Sequence, residues 1–133
     1  MTDSIKFTMN DAWVLYAIPP TEDGAELPEI IARADYVNHA IPTAKEIRRA
    51  LRKANEASLV CFVGSKVKFL SKHRAWVRAV TSKPKFAMDA WKALHQALNE
   101  RRWVKEKESG YELSDDEHKD AYQSYLKMLK KRN

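Results

Sequence analysis

The stretch Thr43–Phe69, TAKEIRRALRKANEASLVCFVGSKVKF, changes its hydrophobic period once, and that change sets the local order of elements. Ile47, Ala50, Leu51 and Ala54 recur at helical spacing, so Thr43 to about Ala57 is predicted helical. Thr43 and Glu46 form a capping-box pattern at its start, each side chain able to bond the other's backbone N–H. Lys45, Arg48, Arg49 and Arg52 then fall on the face opposite the apolar one. From Leu59 the period becomes two. Leu59–Val63 is apolar and rich in valine, Gly64-Ser65 is a turn signal, and Lys66–Leu70 alternates. Val67 and Phe69 are expected to face a core, with Lys66 and Lys68 outside.

Toward the N-terminus, two further helices precede this unit. About Asn10 to Ile18 carries Met9, Trp13, Tyr16 and Ala17 on one face, with Thr8 as N-cap and Asp11 three residues on. Pro19-Pro20 ends it, and Thr21–Gly24 reads as a loop. The second helix starts near Pro28, carries Leu27, Ile30, Ile31 and Ala34, and fades by Tyr36 to His39. Toward the C-terminus, a helix over about Ser71 to Thr81 is expected to bury Trp76, Val77 and Val80, and Lys83-Pro84-Lys85 reads as a hinge. Beyond it lies a weak second copy. Asn55–Val60 aligns with Asn99–Val104 at an offset of 44, which predicts helix, strand, a turn near Ser109-Gly110, strand and a last helix. That last helix opens with its own capping box, Ser114 to Glu117, and carries Ala121, Tyr122, Tyr125 and Leu129.

The fold class expected is therefore mainly α with small β-hairpins (α+β). A winged helix-turn-helix over residues 1–82 is followed by a helix–hairpin–helix extension over 83–133, read as a partial second unit. In the winged helix-turn-helix, the helix 43–57 and the wing 63–68 are the elements that such a domain presents to a DNA groove and to the neighbouring backbone.

Charge is distributed unevenly. Residues 1–42 carry two basic side chains against seven acidic, residues 43–85 twelve against two, and residues 86–133 ten against nine. A +10 block of 43 residues points to a polyanionic partner more than to a solvated face. The expected nucleic-acid contacts are Lys45, Arg48, Arg49 and Arg52 on the helix, Lys66 and Lys68 on the hairpin, and the hydroxyls of Thr43 and Ser65. Arginine can pair with guanine O6 and N7, whereas lysine adds salt-dependent affinity to phosphate.

These residues resemble the winged-helix superfamily of bacterial regulators, including the MarR and PadR types. Ile47–Val60 is similar to the family's recognition helix, and Lys66–Val80 to its wing and the helix after it. The usual leucine-threonine-x-x-glycine step out of the wing stands here as Leu70-Ser-Lys-His-Arg74, with serine for threonine and no glycine. The resemblance covers about residues 8–81 and implies a duplex-DNA-binding regulator or accessory factor, with dimerisation through terminal helices. Two alternatives stay open: a winged-helix module that docks a protein, and an RNA-binding module.

Other chemistry finds little support. His39, His73, His95 and His118 share no metal-ligand spacing with one another or with Cys61, and no Gly-x-Ser-x-Gly or Gly-rich phosphate loop occurs. No enzyme, catalytic residue, cofactor or metal is expected. Cys61 reads as a small core residue, and Trp13, Trp76, Trp91 and Trp103 as core aromatics. Arg101-Arg102 and Lys105 are diluted by Glu100, Glu106, Glu108 and Glu112, which favours a structural role there. Met1–Lys6 lacks an apolar run behind a basic start, and no stretch is long enough to span a bilayer, so a cytoplasmic address without membrane partners is expected.

Overall fold

The computed structural model describes residues 4–132, and among them helices dominate over a small antiparallel β component. The elements are β1 (Ser4–Ile5), α1 (Met9–Tyr16), β2 (Ala25–Glu26), α2 (Leu27–Asn38), α3 (Ala44–Glu56), β3 (Val60–Val63), β4 (Lys66–Phe69), α4 (Ser71–Ser82), α5 (Ala87–Glu100), β5 (Trp103–Val104) and α6 (Asp115–Arg132). No helix among the described residues is long and apolar enough to cross a membrane.

The predicted caps form. Thr8 Oγ1 accepts from the Asp11 N–H and the Asp11 carboxylate accepts from the Thr8 N–H. Thr43 with Glu46 and Ser114 with Glu117 repeat the arrangement. Each cap satisfies two of the N–H groups that a helix start leaves without partners. The β3–β4 hairpin turns through Gly64 at φ +60°, with Val60 opposite Phe69 and Val63 opposite Lys66. A third strand enlarges this sheet. Ala25–Glu26, within a segment read as the approach to α2, pairs antiparallel with Val67 and Lys66, giving the order β2-β4-β3.

One core joins both parts of the chain. Ile30, Ile31, Ile47, Leu51, Leu59 and Phe69 from the first part are fully buried with Leu94 and Leu98 from α5. α5 packs on α1 and α4, and α6 packs on α2. The indole N–H of Trp13 donates to the Ala34 carbonyl, that of Trp91 to Met9 and that of Trp103 to Leu98. These three rings are buried, as expected, and each finds an acceptor for its polar edge. Trp76 and Val80 differ from expectation: both are half-buried, and only Val77 of α4 is sealed in the core. Cys61 is likewise half-buried rather than enclosed.

The second hairpin does not form. Trp103–Val104 pairs with Ser4–Ile5 of β1, not with residues 111–113, which carry no strand. Gly110 lacks the positive φ that Gly24 and Gly64 show, so it does not close a tight turn. The apolar side chains explain the alternative. Leu113 is buried, and Tyr111 stacks flat on Phe62 of β3, ring centroids 4.7 Å apart and 4° from parallel. Residues 105–114 are thereby drawn across α3 instead of folding back on β5.

A buried carboxylate ties α1 to α3. Asp11, 2% exposed, accepts from Lys53 Nζ at 2.7 Å and from the Thr8 N–H at 2.9 Å. Lys53 also donates to the Lys6 carbonyl at 3.1 Å. Replacing Lys53 with methionine keeps an unbranched apolar stem but removes the charged partner of Asp11. The expected cost is about 2 kcal/mol, the scale of a hydrogen bond to a charged group. Urea unfolding of wild type and Lys53→Met, compared at equal slope, measures it.

Candidate nucleic-acid interface

α3 places its charges by period alone. Ala44, Ile47, Ala50, Leu51 and Ala54 are buried, which turns Lys45 and Arg49 outward to solvent. Arg48, Arg52 and Lys53 flank them and are half-buried. All five cations line one open depression of about 310 Å³, with Glu56 as the single acidic neighbour in its lining. This brings together the four helix residues expected from the sequence.

The flanking arginines are engaged by the chain itself. An Arg48 guanidinium N–H donates to the Leu113 carbonyl at 3.0 Å, and Arg52 Nε donates to the Tyr111 carbonyl at 2.6 Å. The backbone N–H of Glu106 donates to the Glu56 carbonyl at the end of α3, and the His118 ring contacts the Pro42 carbonyl before its start. Residues 105–118 therefore run along one flank of α3. The phenol of Tyr111 in this segment is pushed up to about 12, by burial first and then by Glu117.

The hairpin residues sit in a different setting. Ser65 Oγ donates to the Glu26 carboxylate at 2.7 Å, and Glu26 is also the register partner of Lys66. Lys66 is exposed and Lys68 half-buried. The cleft between the hairpin tip and the start of α6 is lined by Glu26, Glu112, Glu117 and Asp120, with no lysine or arginine in the lining. Thr43 Oγ1 is occupied as the cap acceptor of Glu46. The structure thus gathers the α3 cations and sets the Ser65 hydroxyl on a carboxylate, with Lys66 opposite that same Glu26 in the strand register.

Two arginines discounted in the sequence gather elsewhere with a lysine of the basic block. Lys72 of α4, with Arg101 and Arg102 at the end of α5, lines a second depression of about 220 Å³ that also takes Ala57, His73 and Glu106. The Arg101 guanidinium lies over the Trp76 ring at 3.9 Å. Burial, and after it Lys72 and Arg101, hold the His73 imidazole below its ordinary value of 6.5. The signal for this cluster was present as Arg101-Arg102, but adjacency in sequence attached Glu108 and Glu112 to it. In space Glu108 pairs with Lys105 at 2.7 Å, and Glu112 lines the cleft by the hairpin.

No family model, no curated protein and no solved structure matches the chain, so the function of this face has to be read from its own geometry.

Proposed function

We propose that the chain is a winged-helix protein that binds duplex DNA through the outer face of α3, as a transcriptional regulator or a DNA-associated accessory factor. One observation carries this reading: Lys45 and Arg49 stand exposed on a capped helix, in a depression whose lining holds five cations and one carboxylate. The order of three helices followed by the β3–β4 hairpin supports the winged-helix part. The engagement of Arg48 and Arg52 by backbone carbonyls shapes the mode. Arg48 and Arg52 each give one guanidinium N–H to a carbonyl of residues 111–113, which restricts how either can turn toward a guanine edge, so phosphate contacts supply most of the affinity and base readout little.

Duplex is favoured over single strands by the aromatics. Single-strand binders stack bases on rings set among cations. Here Trp76 is covered by Arg101 and Phe62 by Tyr111, while the most exposed rings, Tyr36 and Phe86, lie outside the linings of both cationic depressions.

Fluorescence anisotropy with a labelled duplex of about 20 base pairs tests the proposal. Binding at low salt is expected, weakening with a log–log salt slope of about −0.9 per phosphate contact. Lys45→Glu/Arg49→Glu should lower affinity at least about tenfold and flatten the slope by about 2, with similar effects on unrelated duplexes. No duplex binding at about 10 µM protein and about 50 mM salt overturns the reading, because non-specific binders fall within that range. Preference for RNA moves it to the RNA-binding class. A dimer by sedimentation that takes up no nucleic acid moves it to a docking module, for which exposed Tyr36 and Phe86 are the relevant observation.

A further inference from the structure

The two flanks of α3 differ in charge. On the hairpin side, the Tyr111 and Leu113 carbonyls bond Arg52 and Arg48, and the adjoining cleft presents Glu26, Glu112, Glu117 and Asp120, while Glu106 of the same segment lies at the C-terminal end of α3 with its N–H on the Glu56 carbonyl. A phosphate backbone passing from α3 onto the wing would cross four carboxylates. Toward the C-terminal end of α3 the setting is different. Arg49, Lys53 and Ala57 follow one another at helical spacing, and Ala57 belongs to the lining of the depression that holds Lys72, Arg101 and Arg102.

We propose that the duplex path leaves α3 at its C-terminal end, and that Lys72, Arg101 and Arg102 form a second phosphate-binding site continuous with Lys45 and Arg49. This rests on the duplex reading above and specifies where the nucleic acid goes next. The eight-residue step from Arg49 to Ala57 rises about 12 Å along the helix axis. That matches roughly three to four nucleotides of one strand at 3.4 Å each, so both clusters can hold the same strand.

The chemistry of the second cluster suits phosphate. Arg101 is exposed and its guanidinium rests over the Trp76 ring, a contact that holds the group in place while its N–H donors stay available to phosphate oxygens. Lys72 and Arg102 are exposed beside it. The field of the cluster is felt by His73, where Lys72 and Arg101 add to burial in disfavouring the imidazolium. Glu106 in the same lining opposes them and limits the net charge to +2 across these three cations and one carboxylate. A bound phosphate would bring negative charge next to His73 and shift its ring signals.

The test uses the full chain in the duplex titration, with Lys72→Glu/Arg102→Glu, Arg49→Glu and, on the wing, Lys66→Glu. Lys72 and Arg102 are exposed, so the double variant should keep the wild-type circular dichroism melt. It is expected to weaken duplex binding at least about tenfold and to flatten the salt slope by about 2, with Lys66→Glu changing both by less. In wild type, duplex should move the ring proton signals of His73. The proposal is overturned if Lys72→Glu/Arg102→Glu binds within about twofold of wild type while Arg49→Glu weakens binding, or if Lys66→Glu has the larger effect. If wild type does not bind duplex at all, the failure belongs to the duplex reading, and this site falls with it.

Discussion

Gly24→Ala is expected to destabilise the protein by about 3 kcal/mol, combining a strained backbone with a steric clash. Gly24 sits at φ +65°, immediately before β2. A Cβ placed there would meet the Val67 carbonyl oxygen at 2.2 Å and Lys68 Cβ at 2.6 Å. Neither neighbour can yield cheaply. The Val67 carbonyl belongs to the strand that pairs with both β2 and β3, and Phe69 two residues on is fully buried. The relief available is to peel Ala25–Glu26 off the sheet, which surrenders the third strand. Gly64→Ala is the control. Gly64 has nearly the same φ, +60°, but nothing lies within 4 Å of its added Cβ. Its cost should be about 1 kcal/mol, the strain term alone. Thermal melts of the two variants separate close approach from backbone conformation, and equal losses would contradict the packing of β2 on β4.

Trp103→Ala should cost about 4 kcal/mol, in the range of large aromatic truncations in cores. The Trp103 ring is 7% exposed and meets Phe7 edge-on at 6.1 Å, His73 at 5.4 Å and Trp76 at 6.1 Å. Its N–H closes the end of α5 on the Leu98 carbonyl, and its backbone pairs with Ile5. One side chain therefore holds the N-terminal strand, α4 and the end of α5 together. Trp103→Phe keeps an aromatic body and loses the indole hydrogen bond, while the Leu98 carbonyl keeps the Arg101 N–H, so roughly 1–2 kcal/mol is expected from the lost bond and the lost ring volume. Denaturant unfolding of both variants measures the difference. A loss under about 1 kcal/mol for Trp103→Ala would mean that the β1–β5 end contributes little to the core.

The local pattern marked Trp103 as a core ring but named none of its neighbours, and it gave Gly24 no neighbour at all. The caps at Thr8, Thr43 and Ser114 were legible because a capping box spans only four residues, decided by backbone donors and side chains within one turn. The faces of α3 were legible for a similar reason: burial of Ile47 and Leu51 dictates where Lys45 and Arg49 point. Gly24 read as one residue of a loop because its neighbour, Val67, lies 43 positions away. The repeat that suggested a second hairpin matched Asn99–Val104 to Asn55–Val60 correctly as helix followed by strand. It could not say which strand would pair with β5, since pairing depends on what each edge buries.

The expected nucleic-acid residues divide along the same line. Composition and helical period alone determined that a basic block lies in residues 43–85 and that α3 carries its cations on one side. Tertiary structure decided which of those cations are free. Carbonyls of Tyr111 and Leu113, about 60 residues downstream by the separations of 59 and 65, occupy Arg52 and Arg48. Carboxylates from β2 and α6 converge on the hairpin, while Lys72, Arg101 and Arg102 converge from two helices past the end of α3. Charge acts through space and falls off over a few ångströms in water, so its sum along a sequence fixes only the total; where the field is strong depends on which side chains the fold makes neighbours.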